Sequence, residues 1–90
     1  MAKVLIPSGL RHLTQQQSMV AVDSTDLFAA LKQLGQRFPD IKPYLFDENE
    51  NYNPAMGIFV NDKMIPIPQQ SQFKLTTTDH IALVPAIAGG

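Results

Sequence analysis

The chain has 90 residues, of which 44% are hydrophobic and 17% charged, with a net charge of −1. This length and apolar fraction predict one folded domain over residues 1–90, and the balanced charge gives no reason to expect binding to nucleic acid or to a membrane surface. The lack of cysteine excludes disulfides, thiolate metal ligands and a cysteine nucleophile from this chain. No apolar run is long enough for a signal peptide or a membrane span, so we expect a cytoplasmic protein.

Two short apolar runs near the N-terminus predict a β-hairpin. Residues 3–6 and 19–22 are rich in β-branched and other apolar side chains. The connection over residues 10–18 contains Thr14 and three consecutive glutamines, which is too polar for a core element and short enough to return the chain antiparallel. We therefore expect these two strands to pair.

The next segment has the start signal, the periodicity and the stop signal of one amphipathic helix. Residues 23–26 offer side-chain oxygens to the unpaired N–H groups of a helix N-terminus. Apolar residues then recur at spacings of four, three and four, on one helical stripe: Leu27, Leu31, Leu34 and Phe38. Pro39 disfavours helical geometry at the residue before it, so the helix should end near Phe38.

The segment after the helix is mixed in character and leads to a second hairpin. Residues 40–56 predict an irregular crossover with one helical turn, with the apolar run 44–46 as a plug. Residues 57–60 and 63–65 predict two strands, joined by the turn pair Asn-Asp at 61–62.

The last part of the chain predicts a loop, a buried strand and a tail. Prolines after the second hairpin cannot donate ladder hydrogen bonds, so we expect a loop over residues 69–78. Residues 80–84 form an apolar strand that Pro85 stops, and residues 86–90 follow as a flexible tail of small residues.

The order strand, strand, helix, strand, strand, strand predicts an α+β fold, a mixed sheet crossed by one main helix, for which the ubiquitin-like β-grasp is the economical solution. One helix covers one face of a sheet, yet the last strand is apolar on both faces, so the second face meets either a partner or loops. Phe59 is a candidate for this partner surface, with the core as the alternative. The methionines Met19, Met56 and Met64 are predicted to fill gaps in the core.

The chain ends in Gly89-Gly90, directly after a strand stopped by proline. Such an end presents an unhindered carboxylate, since glycine lets an extended backbone pass through a narrow channel with no Cβ in the way. An activating enzyme can bring this carboxylate to the α-phosphate of ATP, which makes Gly90 the candidate reacting residue. Adenylation followed by attack of sulfide or a persulfide would give a thiocarboxylate.

Two stretches of this sequence resemble the MoaD/ThiS superfamily of ubiquitin-like sulfur carriers, and the resemblance covers essentially the whole chain. They are Phe-Val-Asn-Asp at 59–62 and Thr-Asp-His-Ile-Ala-Leu-Val-Pro-Ala-Ile-Ala-Gly-Gly at 78–90. Thr-Asp at 78–79 replaces the Gly-Asp of many members, which affects a turn. The Pro-Ala at 85–86 is similar to carriers of the CysO type more than to MoaD proteins, which often have Pro-Pro, and thiamine carriers of the ThiS type are shorter and lack this proline.

The resemblance implies a partner enzyme related to ubiquitin-activating enzymes, which binds ATP and Mg²⁺ and adenylates Gly90; no cofactor is expected on this chain. The residues implied to enter the partner's channel are Pro85, Ala86, Ile87, Ala88 and Gly89. In the CysO type a pyridoxal-phosphate cysteine synthase accepts the sulfur, whereas a MoaD-type tail inserts into the molybdopterin synthase large subunit. The chain would then be a protein cosubstrate and not an enzyme.

Two alternative functions are open. A ubiquitin-like modifier would be conjugated through Gly90 to lysines of target proteins, and a plain binding domain would make no use of the glycine pair. No catalytic or metal site is predicted within the chain, because His12 and His80 have no suitably spaced partner. The acidic residues at 47–50 lack the ligand spacing of a calcium loop and are expected to form a solvated loop.

Overall fold

One mixed sheet of five strands forms in the part of the chain that the structure describes. The structure is a computed structural model and describes residues 1–66 and 73–85. The strands are β1 (Ala2–Leu5), β2 (Met19–Val22), β3 (Met56–Val60), β4 (Lys63–Met64) and β5 (His80–Pro85). Their order across the sheet is β2-β1-β5-β3-β4, with β1 and β5 parallel and the other neighbours antiparallel.

The N-terminal hairpin of β1 and β2 forms as predicted, but its connection differs from the polar loop that was expected. A 3-10 helix occupies Ser8–Leu13, and Leu10 within it is buried. Thr14 is fully buried although it belongs to the stretch predicted to be too polar for the core. Its hydroxyl donates to the carbonyl oxygen of Gln17 at 2.9 Å, so the buried polar group is satisfied within the connection itself.

The main helix α1 (Leu27–Arg37) begins and ends where its sequence signals predict. Asp26 is the N-cap, and its carboxylate accepts a hydrogen bond from the N–H of Ala29 at 2.8 Å. All four residues of the predicted apolar stripe are buried. Phe38 has non-helical backbone angles, as expected for a residue before proline.

A short helical segment and an aromatic cluster follow α1. A 3-10 turn at Pro39–Ile41 continues into α2 (Lys42–Leu45), which confirms the helical turn predicted for the crossover. Phe46 is buried, and its ring lies 5.6 Å from the rings of Phe28 and Tyr52, centroid to centroid. These rings extend the core on the α1 side of the sheet.

The second hairpin joins β3 and β4 through the predicted two-residue turn. Asn61 and Asp62 have φ angles of 51° and 70°, so both lie in the left-handed region, as a type I′ turn requires. Val60 pairs with Lys63 across this turn. Asn and Asp adopt left-handed backbone more readily than most residues, which explains why this pair can close the hairpin without glycine.

The core lies between α1 and one face of the sheet. On each longer strand, every second side chain is buried on this face: Ala2, Val4, Val20, Val22, Met56, Ile58, Val60, Ile81 and Leu83. The alternate side chains lie on the opposite side of the sheet, away from α1, which we call the open face. The α+β prediction of a mixed sheet with one main helix is therefore confirmed.

Candidate functional site

The strand that leads to the C-terminal tail lies at the centre of the sheet. β5 pairs with β1 on one side and with β3 on the other, and its last residue, Pro85, is opposite Met56. A strand held by two ladders cannot shift without breaking both, so it gives the tail a fixed point of departure. Pro85 is the partly buried end of this strand. The remaining predicted tail residues lie outside the described residues: Ala86, Ile87, Ala88, Gly89 and Gly90.

Next to this point of departure, β5 presents an apolar residue to solvent. Leu83 is only 3% exposed because it faces α1, whereas its neighbour Val84 is 48% exposed on the open face. His80 and Ala82 share the side of Val84, since side chains alternate along a strand. The strand that carries the tail therefore contributes to both the core and the open face.

A row of apolar side chains crosses the open face of all five described strands. In cross-strand register the row runs through Met19, Leu5, Ala82, Phe59 and Met64. Phe59 is half-buried within this row, so the open face, and not the core, is where its side chain lies. The prediction that Met19 and Met64 fill the core is wrong, since they are 45% and 64% exposed; Met56 is buried as predicted.

The open face becomes polar at the end away from the tail. Lys3 of β1 and His80 of β5 are paired neighbours, and both are exposed. Toward the tail, by contrast, the open-face pair is Gly57 and Val84. The apolar part of the open face therefore adjoins Pro85, the residue from which the tail departs, which we call the root of the tail.

A hydrogen-bonded link fixes the start of β5 to the second hairpin. The side-chain amide of Asn61 donates to the Asp79 carboxylate at 2.7 Å, and its oxygen accepts from the N–H of His80 at 3.0 Å. Asp79 also accepts from the N–H of Thr76 at 2.8 Å. The hydrogen bonds from Thr76 and then from Asn61 lower the pKa of the Asp79 carboxyl.

This link joins the two sequence stretches that carry the family resemblance, and reasoning from sequence alone missed it. Asn61 and Asp79 belong one to each stretch and are 18 residues apart. The signal was present as an Asn in a turn and an Asp before a strand. Their contact depends on the pairing of β3 with β5, which the local sequence does not reveal.

Within residues 1–66 and 73–85, no cluster of three or more His, Cys, Asp or Glu side chains is placed to hold a metal ion. No helix found there is long and apolar enough to cross a membrane.

Comparison with solved structures shows which fold this is. A chain of the Amycolatopsis orientalis BexX/CysO complex matches with a TM-score of 0.87 at 24% identity over 100% of both chains. Mycobacterium tuberculosis CysO, described as an antigen, matches with a TM-score of 0.83 at 24% identity over 97% of this chain and 100% of its own. The small archaeal modifier protein 1 from Methanosarcina acetivorans matches at 0.86 and 19% identity over 99% of this chain and 95% of its own. At these identities the likenesses show a shared ubiquitin-like β-grasp fold.

Comparison of the sequence with models of known protein families identifies the family of the chain. No curated protein matches the chain at a significant level of similarity. The sequence model of the ThiS family matches residues 4–90, from within β1 to Gly90. The chain therefore belongs to the ThiS family, within the MoaD/ThiS superfamily of ubiquitin-like sulfur carriers.

Proposed function

We propose that this chain is a sulfur carrier of the CysO type, with Gly90 as the residue that carries sulfur. The observation that carries the proposal is the central position of β5, which continues in sequence directly into the segment ending in Gly89-Gly90. A strand fixed on both sides is suited to presenting a terminal carboxylate at a defined place. The extension of the family match to Gly90 supports this proposal.

The proposed chemistry has two steps at the carboxylate of Gly90. A carboxylate oxygen attacks the α-phosphorus of ATP, and pyrophosphate leaves with formation of an acyl adenylate. Hydrosulfide then attacks the acyl carbon and AMP leaves, so the product is a thiocarboxylate and one proton is released. The partner enzyme binds ATP and Mg²⁺ and supplies the catalytic groups, and this chain acts as its protein cosubstrate.

In this proposal, the activating enzyme docks on the apolar part of the open face. Phe59 and Val84 adjoin the root of the tail, and Val84 and Met64 together present a large exposed apolar area. Exposed apolar patches that adjoin a functional segment are typical of protein interfaces. Docking there would place the tail, from Pro85 to Gly90, at the entrance of the enzyme's channel.

The sulfur acceptor is proposed to be a pyridoxal-phosphate cysteine synthase in the cytoplasm. The likeness to structures named CysO favours this acceptor. The molybdopterin synthase large subunit is the alternative acceptor, and it would receive the same thiocarboxylate.

A second function is conjugation to proteins, which the likeness to a small archaeal modifier protein favours. In that case an amine, and not hydrosulfide, attacks the activated carboxyl of Gly90. The product is an amide bond to a lysine of a target protein, and AMP or an enzyme thiol is the leaving group.

The two functions are separated by the product formed at Gly90. We would purify the chain from its native host under conditions that preserve thiocarboxylates, and measure its intact mass and that of a variant lacking Gly90. A sulfur carrier should show the mass increase of one oxygen replaced by sulfur, and only when Gly90 is present. A modifier should instead leave a Gly-Gly remnant on lysines of other proteins after proteolysis. If no thiocarboxylate forms when the host's activating enzyme, ATP and sulfide are added, the carrier function is wrong. If host proteins are then added and no lysine gains the remnant, the modifier function is wrong as well.

A further inference from the structure

Gly57 occupies a position in β3 where its backbone does not require glycine. Its φ angle lies outside the left-handed region, so any residue could adopt it. Glycine in a strand interior lowers stability, because it loses more backbone freedom on folding and has no side chain to pack. Its presence here therefore directs attention to the space that a side chain would occupy.

The missing side chain would lie on the open face, beside the root of the tail. Gly57 pairs with Val84 and shares the open face with Phe59. A Cβ atom built on Gly57 would lie 3.7 Å from Cε1 of the Phe59 ring and 3.8 Å from Cβ of Val84. The same atom would lie 3.2 Å from the carbonyl oxygen of Val84, which is a tight contact with backbone.

The Phe59 ring thus leans along β3 over Gly57, the residue that pairs with Val84. One methyl-sized space at Gly57 is bounded by the ring edge on one side and by Val84 on the other. A branched side chain at Gly57 would need the space next to the ring edge, so the ring would have to turn away from position 57.

We propose that Gly57 is a positioning residue for partner docking, because it lets the Phe59 ring lie over position 57, the position that pairs with Val84. Phe59 and Val84 then form one continuous apolar contact for the activating enzyme, immediately before Pro85. Gly57 acts through Phe59 and makes no contact of its own. This inference rests on the proposed function, which supplies the enzyme that docks there.

A purely structural role for Gly57 leads to a different expectation. If glycine is needed only to avoid the carbonyl oxygen of Val84, replacing it would lower stability without a specific effect on docking. Stability and docking must therefore be measured separately, and the dependence on Phe59 must be tested directly.

The test is a double-mutant cycle on the adenylation reaction. The full-length chain, Gly57→Val, Phe59→Ala and the double variant are assayed for pyrophosphate release with the host's adenylating enzyme, identified by its dependence on ATP and Gly90. Phe59→Ala and Gly57→Val should each raise KM by about tenfold with little change in kcat, because both remove docking affinity. The double variant should have the KM of Phe59→Ala alone, since Gly57 acts through the ring.

Controls keep the outcomes distinct. Gly9→Ala, whose Cβ meets no atom within 4 Å, should leave KM unchanged. Urea denaturation shows whether each variant is folded. If Gly57→Val does not fold, Gly57→Ser replaces it, because serine still places an atom beyond the Cβ position, whereas an alanine Cβ would only touch the ring at 3.7 Å. Nuclear Overhauser effects between the Phe59 ring and the Val84 methyl groups should weaken in the Gly57 variant.

Three negative results are distinguishable: one overturns the role of Gly57, one the docking face and one the proposed function. If Gly57→Val raises KM by the same factor with and without Phe59, or leaves KM unchanged while Phe59→Ala raises it, the role of Gly57 is overturned and the docking face stands. If Phe59→Ala does not change KM, docking through the open face is itself wrong. If no pyrophosphate is released with any enzyme of the host, the proposed function fails first.

Discussion

The Asp79 carboxylate connects the start of β5 to the turn between β3 and β4. It accepts one hydrogen bond from Thr76 and one from Asn61, and both favour its charged form. Its pKa in the folded chain is therefore below the ordinary value of 3.8. A depressed carboxyl pKa contributes stability that is present above the ordinary pKa and is lost as pH falls through the lower, folded value.

We therefore predict that Asp79→Asn lowers stability at pH 5 and removes part of the loss of stability on acidification below pH 3.8. The effect should be small, because the hydrogen bonds to this carboxylate lie at the surface, where solvent screens its charge. The midpoint of urea denaturation, measured at several pH values from pH 5 to below pH 3.8, gives the size of this effect. Asp62→Asn makes the same charge change in the adjoining turn and serves as the control. A profile for Asp79→Asn identical to that of the wild type would show that the link contributes nothing.

At the scale of elements, the contact between α1 and α2 passes close to Gly35. Gly35 is buried in the last turns of α1, and a Cβ there would lie 3.4 Å from Cγ of Lys42. That neighbour is part of a flexible, exposed side chain, so it can move slightly to make room. Glycine in a helix also costs about 0.5–1 kcal/mol relative to alanine.

Gly35→Ala is accordingly expected to raise the free energy of unfolding by up to about 1 kcal/mol. Thermal and urea denaturation of the variant and the wild type provide the measurement. Gly9→Ala is the matched control, and as an exposed change outside the α-helices it should stay within about 0.5 kcal/mol. A loss of stability in Gly35→Ala would mean that the helices need the closer approach that glycine allows.

For the molecule as a whole, the two faces of the sheet have different roles, and adjacent residues of β5 separate them. Leu83 belongs to the core and Val84 to the open face. Leu83→Ala should lower the free energy of unfolding by about 2–5 kcal/mol, because it leaves a cavity against α1. Val84→Ala should change it by less than about 0.5 kcal/mol. Chemical denaturation with a common m-value compares the two, and similar losses would show that the open face is covered in the folded chain.

Local signals in the sequence were sufficient to predict most of the elements. The capping side chains at 23–26, the apolar stripe of α1 and the proline after it predicted that helix, since each acts within a few residues. The turn at Asn61-Asp62 was predictable for the same reason. The α+β architecture then followed from the order of the elements. The candidate site at Gly89-Gly90 was also readable from the sequence, and it stays a prediction.

Tertiary structure alone decided which side of the sheet each strand residue occupies. Strands such as β1, β3 and β5 have apolar residues at successive positions, so alternation in the sequence does not distinguish the core from the open face. Hence Met19 and Met64 were assigned to the core incorrectly, and the place of Phe59 remained open. The link between Asn61 and Asp79 was hidden for a related reason, because it depends on the register of two strands far apart in the chain. Sequence therefore determined the elements and predicted a reactive terminus, whereas long-range strand pairing decided which side chains form the open face beside the end of β5.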